Sequence, residues 1–449
     1  MMIPLSVPNI CGNELNYVTQ AITDGWVSSG GPSINKFEDE FASYSGAEFT
    51  AACQSGTAAI HLALVDAGVG AGDLVAVPSL TFIGSVNPVR YVGAEPVFMD
   101  CDDSLCLDPA KFEQYLDEDC ERRGDGYWYD VSLGKPVKAV IAVHVYGNAV
   151  DMERMTGIAA SHNLLVIENA TDAMGTFYTS GAYAGKMAGT IGDYGVFSFN
   201  SSKIITCGGG GMLTSPDPAR VRRMRHLAAQ AKTNDLYFTY DAVGFNYRMT
   251  NVQAAIGLAQ LEQLESFIEA KRANYELYRK HGIELLPFSE YCRPNYAIYS
   301  YLCEGGGGFA SGELHVETGE SGLDGHAGGA VERVQEVGGK INAGGDGMEE
   351  RGCNGAGGHL CSTCFVNGRL TRDKLIRYLL SRNIQTRPVW ALCHEQPMYS
   401  GNKAYKIEKA RKLQASIINL PCGSSLTPEE VSNVAAEIKA FYKSGCMKD

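Results

Sequence analysis

One lysine lies in a sequence context that suits covalent chemistry with an aldehyde cofactor. Lys203 follows an apolar, aromatic strand at residues 196–199 and a short polar turn, and four glycines at residues 208–211 come after it. A lysine amine can form an imine only after it loses its proton, which burial and a neighbouring positive charge promote. The glycines leave room for a flat ring and a phosphate to approach the backbone. The alternative interpretation is a surface lysine before a flexible loop.

Small polar residues at two places are suited to bind the phosphate of such a cofactor. Ser198, five residues before Lys203, can donate its hydroxyl group. Ser55, Gly56 and Thr57 lie between a predicted strand and a predicted helix, so their backbone N–H groups would face an anion at the helix N-terminus. Because Ser-Gly-Thr is also an ordinary helix cap, this motif alone does not decide between binding and capping.

Three further segments contain groups that suit a planar, charged cofactor. Phe82 follows the next predicted strand and is able to stack on a ring, although core packing also explains it. Asn169 and Asp172 come at the end of a buried strand, at the edge where open α/β sheets bind ligands. Asn246 and Arg248 belong to a polar, aromatic turn before a long predicted helix, where a cap alone would need fewer such groups.

The elements that would position these residues alternate between short β-rich runs and helical patterns. Near-continuous runs of Val, Ile and Leu indicate strands buried on both faces, so we predict an α/β fold with a mostly parallel sheet. A long helix at 249–278 is expected to connect a large domain, residues 1–250, to a smaller α+β C-terminal domain, residues 251–449. The predicted strands of the large domain are 49–53, 74–78, 96–99, 137–144, 164–168 and 196–199.

Residues 304–360 do not fit this pattern. The segment is rich in glycine and poor in large apolar residues, so it cannot bury enough surface to offset its ordering entropy, and we predict a disordered insertion. It interrupts a strand predicted at 296–302, whose continuation is expected near Cys364. A single CxxC motif beside a glycine tract is weak evidence for zinc, so no metal site is predicted. The residues of this motif and its neighbours are Cys361, Cys364, Cys353 and His359.

The composition is that of a soluble globular protein. Of the 449 residues, 45% are hydrophobic and 20% are charged, and the formal net charge of −13 argues against nucleic-acid or membrane-surface partners. The 14 cysteines are scattered, and many lie in apolar runs, as buried thiols in a reducing compartment do. The N-terminal residues have the pattern of neither a signal peptide nor a membrane anchor. We therefore predict a cytoplasmic protein.

The ordered series of motifs resembles the DegT/DnrJ/EryC1/StrS sugar aminotransferases, pyridoxal-phosphate enzymes with the aspartate aminotransferase fold. The resemblance covers nearly the whole chain except the glycine-rich segment. It is strongest with the branch that aminates nucleotide-linked 4-keto-6-deoxy sugars for nonulosonic acids such as legionaminic acid, on residues 3–8, 87–102 and 384–390. The family motifs are Trp26-Val-Ser-Ser-Gly-Gly, Ala52-Cys-Gln-Ser-Gly-Thr, Pro78-Ser-Leu-Thr-Phe, His144-Val-Tyr-Gly-Asn, Ser198-Phe-(three residues)-Lys203 and Asn246-Tyr-Arg-Met-Thr-Asn.

The resemblance implies a role in cofactor binding for each matched residue. Lys203 would form the imine with pyridoxal phosphate and carry a proton between the cofactor and sugar carbons. Phe82 would cover the ring. Asn246 would reach the phosphate in the neighbouring subunit, which makes a homodimer necessary for a complete site. The residues expected to hold the phosphate within one subunit are Ser55, Gly56, Thr57 and Ser198.

The resemblance also implies the substrates. L-glutamate is the expected amino donor, and a nucleotide-linked 4-keto-6-deoxy sugar, with or without a 2-acetamido group, is the expected acceptor. His394 matches a position near the sugar nucleotide, and Arg248 and Arg387 are further candidate substrate contacts. An aminotransferase acting on an ordinary α-keto acid is the alternative, in which Arg387 would bind a carboxylate.

One position departs from the family pattern. The family has Glu-Asp-Ala where this chain has Glu168, Asn169 and Ala170. The usual aspartate keeps the pyridine nitrogen protonated, and an asparagine supplies no charge for this purpose. Glu168 should point to the opposite face of the strand, whereas Asp172 matches a position that contacts the ring in relatives. An impaired homologue is therefore a further alternative.

Overall fold

The computed structural model describes residues 2–303 and 362–444. The predicted insertion at 304–360 lies outside the described residues, and so do Cys353, His359 and Cys361 of the possible zinc motif. What the sequence predicts for them therefore stays a prediction.

Helices and strands alternate along the described ranges. The helices are α1 Glu14–Thr23, α2 Pro32–Ser45, α3 Gly56–Asp66, α4 Asn87–Tyr91, α5 Pro109–Asp119, α6 Met152–His162, α7 Pro218–Ala228, α8 Asn251–Leu261, α9 Leu264–Lys280, α10 Ser362–Ser381, α11 Lys409–Ser416 and α12 Pro428–Lys443. The strands are β1 Phe49–Cys53, β2 Leu74–Pro78, β3 Glu95–Met99, β4 Cys120–Arg122, β5 Trp128–Asp130, β6 Lys135–Val143, β7 Leu165–Asn169, β8 Phe177–Tyr178, β9 Tyr194–Ser198, β10 Gly211–Ser215, β11 Lys232–Asn234, β12 Thr239–Tyr240, β13 Cys292–Arg293, β14 Tyr299–Leu302, β15 Arg387–Pro388 and β16 Ile417–Leu420. Among these helices, none contains an apolar stretch with the length that a bilayer crossing requires.

A large mixed sheet forms the main layer of the described ranges. Its strand order is β1-β10-β9-β7-β6-β2-β3, and β5 and β4 extend it beside β6. Strands β9, β7, β6, β2 and β3 pair in parallel, whereas β10 and β5 run against their neighbours. Every residue of β2 is buried, as expected for a strand covered on both faces. The predicted α/β fold with a mostly parallel sheet is confirmed.

The direction of these strands determines where the loops meet. Because β10 is antiparallel to both β1 and β9, strand β1 runs in the same direction as β9, β7 and β2. The carboxyl ends of all four strands therefore lie at one edge of the sheet, which is where open α/β sheets bind ligands.

A smaller antiparallel sheet, β14-β16-β15, lies in the C-terminal part of the chain. Its apolar face packs with α9, α10 and α12 around a second cluster of buried side chains. The large buried residues of that cluster include Tyr278, Tyr299, Leu375, Leu379, Ile418, Val434, Ile438 and Phe441. The domain boundary at residue 250 stays a prediction.

The single long helix predicted at 249–278 is wrong. The chain instead forms α8 and α9, with Glu262 at the C-cap of the first. The Glu262 carboxylate accepts hydrogen bonds from Asn13 Nδ2 at 2.9 Å and from the Tyr17 hydroxyl at 2.6 Å. Helix α8 packs against α1 and α2, whereas α9 packs against α12. The break changes the direction of the chain, so that α8 can pack on α1 and α2 while α9 packs on α12.

The strand expected to continue near Cys364 is also wrong, because that position lies in helix α10. The neighbour of β14 in the small sheet is β16, which is remote in sequence. Leu375 and Leu379 are four residues apart and fully buried, so the segment has a helical period that faces the second cluster.

Candidate active site

Loops that follow three parallel strands meet at the carboxyl edge of the large sheet. The Lys203 Nζ, in the loop between β9 and β10, lies 2.6 Å from Asp172 Oδ1, which follows β7. At the end of β7, Asn169 Nδ2 donates at 2.8 Å to the Ser85 hydroxyl, in the 3₁₀ helix that follows β2. The structure thus joins the lysine, the aspartate and the asparagine that the sequence singled out.

The partner of Lys203 differs from the sequence expectation. A neighbouring positive charge was expected beside the amine, but the structure places the Asp172 carboxylate there. Both side chains are mostly buried, so the ion pair is partly shielded from water. The backbone carbonyl of Asp172 accepts from Asn295 Nδ2 at 2.8 Å, which fixes this loop. Asp172 therefore orients the lysine amine toward the sheet edge.

The N-terminus of α3 is the predicted anion site, and its geometry is compatible with that prediction. Ser55 is its N-cap, and its hydroxyl accepts from Ala58 N at 3.1 Å. The first N–H groups of the helix have no partner within the helix and point outward. A Cβ added at Gly56 would lie 2.9 Å from Thr171 Cγ2 and 3.0 Å from Ser198 Cβ. The phosphate-binding candidates therefore come together, and only a glycine fits at position 56.

Thr57 is also part of this cluster. A Cβ added at Gly84 would lie 2.9 Å from Thr57 Oγ1 and 3.1 Å from two ring carbons of Phe82. The predicted phosphate-binding threonine and the predicted ring-covering phenylalanine therefore approach the same glycine.

The orientation of the Asn169 amide follows from its partners. The Thr171 backbone N–H donates to Asn169 Oδ1 at 3.1 Å. A backbone N–H can only donate, so the amide oxygen must face Thr171 and the amide NH₂ must face Ser85. Ser85 Oγ lies 3.0 Å from Thr81 Oγ1. Asn169 is fully buried and presents N–H groups, with no negative charge, toward the site.

Glu168 cannot take over the role of the missing aspartate. Its side chain is fully buried and accepts hydrogen bonds from the backbone of Gly189 at 2.8 Å, Ile191 at 2.6 Å and Gly192 at 2.5 Å. It also lies 3.0 Å from His144 Nε2, whose other ring nitrogen accepts from Val150 N. The carboxylate therefore faces away from Asn169, as strand alternation predicts.

Aromatic residues form one wall of the site. The Phe82 side chain is 53% exposed, and its ring centroid lies 6.4 Å from that of Trp390. Trp390 in turn lies 4.5 Å from the ring of Tyr146. The Tyr146 backbone has a φ of 58°, a left-handed conformation that is uncommon for a residue with a side chain. Phe82 thus presents an open ring face at the sheet edge.

His394 docks on the loop after β2. The Cys393 backbone N–H donates to the Ser79 carbonyl at 2.9 Å, and His394 Nδ1 lies 2.6 Å from the Ser79 hydroxyl. Arg411 Nη2 lies 3.0 Å from His394 Nε2. Burial, followed by the charge of Arg411, lowers the pKa of His394 to about 4. The histidine is therefore neutral and contacts the loop after β2. Its expected place near the sugar nucleotide stays a prediction.

Three predicted residues are not joined to this cluster. Among the described residues, no hydrogen bond links Asn246, Arg248 or Arg387 to Lys203 or Asp172. Asn246 and Arg387 are exposed. Arg248 forms a backbone bridge with Cys53 at the end of β1, and its charge acts on Glu38, where burial raises the pKa of the carboxyl.

The sequence pattern did not indicate several residues of the site. Tertiary contacts bring them beside residues that it did indicate. Four of them, Ser79, Thr81, Tyr146 and Trp390, lie within the motifs that carry the family resemblance, whereas Ser85 and Arg411 carried no signal. These residues are Ser79, Thr81, Ser85, Tyr146, Trp390 and Arg411.

Sequence comparison identifies the family. Residues 8–291 and 348–439 match the DegT/DnrJ/EryC1/StrS aminotransferase family. The chain belongs to this family. It is 32% identical over 440 residues to the GDP-perosamine synthase of Escherichia coli O157:H7, a match that covers 98% of each chain. It is 43% identical over 270 residues to the GDP-perosamine synthase of Caulobacter vibrioides, which covers 60% of this chain and 67% of that protein.

Solved structures confirm the fold. A DegT/DnrJ/EryC1/StrS aminotransferase from Brucella abortus superposes with a TM-score of 0.74 at 23% identity, covering 96% of this chain and 95% of that chain. The PLP-form of the Streptococcus pneumoniae sugar aminotransferase Spr1654 gives a TM-score of 0.76 at 20% identity, covering 99% of both chains. The predicted family of sugar aminotransferases and the predicted aspartate aminotransferase-like fold are confirmed.

The family is pyridoxal-phosphate-dependent, so the chain is an aminotransferase that uses this cofactor. The site fits such a group at three places. Lys203 supplies an amine, the α3 N-terminus beside Ser198 supplies an anion site, and the open face of Phe82 supplies an aromatic surface. Asn169, which supplies no charge to a ring nitrogen, is the exception.

Proposed function

We propose that this aminotransferase moves an amino group from L-glutamate to the C4 ketone of a nucleotide-linked 4-keto-6-deoxy sugar. Glutamate leaves as 2-oxoglutarate, and the ketone becomes a carbon that carries an amine. The observation that carries the proposal is Lys203, held by Asp172 at 2.6 Å among phosphate-binding and ring-binding groups at the sheet edge. Bound pyridoxal phosphate supplies an aldehyde that takes up the amino group and a ring that stabilises negative charge on the neighbouring carbon.

The residues of the chain do the positioning and the proton transfer. Lys203 Nζ carries the proton, because it is the basic group at the sheet edge and Asp172 fixes its direction. The α3 N-terminus, with Ser55, Thr57 and Ser198, holds the phosphate. Phe82 and Trp390 cover the ring side and exclude water.

A second subunit completes the proposed site. The family resemblance assigns Asn246 to the phosphate of the neighbouring subunit, and Asn246 is exposed, as a contact across an interface requires. Exposed apolar side chains on the β11–β12 hairpin and in the segment just after it support such a contact, because a monomer seldom exposes a patch of this kind. These side chains are Leu236, Tyr237, Phe238 and Val243.

Two sources support different sugars. The relatives named GDP-perosamine synthases favour a GDP-linked sugar, and the motif resemblance favours a 2-acetamido sugar on the way to legionaminic acid. In both cases the acceptor is a 4-keto-6-deoxy sugar for a bacterial surface polysaccharide, and the enzyme acts in the cytoplasm. In the α-keto-acid alternative, the exposed Arg387 would bind a carboxylate, and the acceptor assay below separates this alternative from the proposal.

The second candidate is an impaired homologue, which the neutral Asn169 favours. Both candidates are tested by incubating the protein with L-glutamate and one acceptor at a time: a GDP-linked keto sugar, a UDP-linked 2-acetamido keto sugar, or pyruvate. Mass spectrometry detects the amino sugar, and a coupled assay detects 2-oxoglutarate. An amino sugar nucleotide supports the proposal. Amine transfer to pyruvate alone, or no product from protein loaded with cofactor, contradicts it.

A further inference from the structure

The contacts of His394 leave it no free ring nitrogen. A guanidinium can only donate, so the 3.0 Å contact from Arg411 Nη2 makes His394 Nε2 an acceptor. The ring proton must then be on Nδ1, which donates to the Ser79 hydroxyl at 2.6 Å. The His394 side chain is only 8% exposed. A substrate approaching this segment cannot bind the imidazole without breaking one of these two contacts.

The cation that this segment does expose is Arg411. Its side chain is 40% exposed, and it is held on one side by His394 and on the other by Glu395, whose Oε1 lies 3.1 Å from Arg411 Nε. Because Glu395 is itself 41% exposed, this ion pair is weak and orients the guanidinium without burying its charge. Among the described residues, the guanidinium has no hydrogen bond or ion pair beyond these two contacts.

Arg411 is connected to the loop after β2 through the segment that contains Cys393 and His394. Cys393, beside His394, contacts the Ser79 and Thr81 carbonyls in the segment that leads to Phe82. Through His394, Arg411 is thus attached to the loop after β2 that leads to Phe82. A sugar that enters the site past this loop would carry its diphosphate toward Arg411.

We propose that Arg411 binds the diphosphate of the sugar nucleotide, with His394 as the residue that positions it. This inference rests on the proposed sugar-nucleotide acceptor. A planar guanidinium forms paired hydrogen bonds with phosphate oxygens, and a single histidine acceptor behind it fixes its plane.

The test measures binding of GDP and of UDP, without sugar, to the cofactor-loaded protein by calorimetry. Arg411→Met should weaken the tighter of the two by roughly 10- to 100-fold, since it removes charge-assisted hydrogen bonds. Arg411→Lys should recover part of the loss. The control is Lys412→Met on the same helix, which should leave affinity unchanged. The melting temperature of the loaded protein should be the same in wild type and in every variant, which shows that the fold is intact.

Three results would overturn the inference: equal affinity in Arg411→Met and wild type, equal losses in Arg411→Met and Lys412→Met, or no binding of either nucleotide to wild type. A lower melting temperature in Arg411→Met, together with the loss of affinity, would also contradict it, because the effect would then be structural. If nucleotide binding depends on Arg411 but no keto sugar is aminated, the proposed reaction fails and the diphosphate site stands.

Discussion

At the scale of single residues, the chemistry of this site depends on which face of β7 each side chain occupies. The Glu168 carboxylate contacts three backbone N–H groups and the His144 ring on one face of the strand. Asn169, on the other face, contacts Ser85 and Thr171. The position that usually carries a negative charge is therefore neutral, and Asp172 is committed to Lys203. If Asn169 faces the ring nitrogen of the cofactor, as the family resemblance implies, that nitrogen would have no negatively charged partner.

Asn169→Asp should accelerate the reaction with glutamate. An aspartate can keep the hydrogen bond from the Thr171 N–H. The Ser85 hydroxyl, which accepts from Asn169 Nδ2 in wild type, can rotate its O–H to donate to the new carboxylate, so the geometry is retained while a charge is gained. The expected gain is on the order of a hundred- to a thousand-fold in rate, without a large change in cofactor affinity. Stopped-flow absorbance of the cofactor measures the rate. An Asp variant no faster than wild type would contradict this account, unless Asp172→Asn then slows the wild-type rate.

His394 should make stability depend on pH. Its pKa is about 4 in the folded chain and near 6.5 when unfolded, so between these values the unfolded chain binds more protons. The free energy of unfolding should therefore fall as pH decreases from about 6.5 to about 4, by at most about 3 kcal/mol from this group. Urea unfolding of wild type and His394→Asn at about pH 7 and about pH 5 isolates this contribution. Equal pH dependence in the two proteins would show that His394 is not held neutral.

At the scale of elements, apolar runs bounded by turn residues were enough to predict the central strands. The bounds of β1 and β2 match the prediction, because each is a short buried run between polar loops. Strand β10 was missed, since its sequence directly follows the glycines at 208–211, and the helix at 249–278 was predicted without its break. Both features are determined by contacts with elements remote in sequence, which the local sequence pattern does not reveal.

The same limit applies to the site. Lys203, Ser55 and Ser198 carry local signals: a glycine-rich neighbourhood, a helix cap and the end of a strand. The Asp172 ion pair and the Ser85 contact do not, because they join different loops. Sequence reasoning found the groups, and only the sheet topology shows how they meet.

Gly56→Ala tests the packing at the α3 N-terminus. The added methyl group would lie within 3.0 Å of Thr171 and Ser198, so these two side chains must move away from the α3 N-terminus. Cofactor affinity should therefore fall by roughly 10-fold or more. The matched control is Gly157→Ala in α6, where a Cβ meets nothing within 4 Å. That variant should bind the cofactor normally and gain about 0.5–1 kcal/mol of stability. Equal cofactor affinities of the two variants in absorbance titrations would show that close packing at Gly56 is not needed for cofactor binding.

At the scale of the whole molecule, the site lies where the loops of the large sheet meet the segment that precedes α11. Asn419, on the small sheet, donates to the Tyr146 hydroxyl at 3.0 Å, and Tyr146 packs on Trp390. The two hydrophobic clusters are thus coupled through the aromatic wall. The proposed partner subunit would add Asn246 to this arrangement.

Subunit complementation tests whether Asn246 acts across an interface. Lys203→Ala and Asn246→Ala proteins should each be inactive or nearly so. In a symmetric dimer, a mixed dimer contains one site with both residues intact. Mixing equal amounts under exchange conditions should restore about a quarter of wild-type activity. No recovery, despite mixed dimers detected by native mass spectrometry, would place Asn246 in its own subunit's site or outside any site.

The central claim is that Lys203 is the residue that binds the cofactor covalently. Borohydride reduction of the loaded protein, followed by peptide mass spectrometry, tests it most directly. We predict the reduced cofactor on the peptide that contains Lys203, and loss of the visible absorbance together with this label in Lys203→Ala, which should fold normally. The cofactor on Lys186 or on any other lysine would contradict the account.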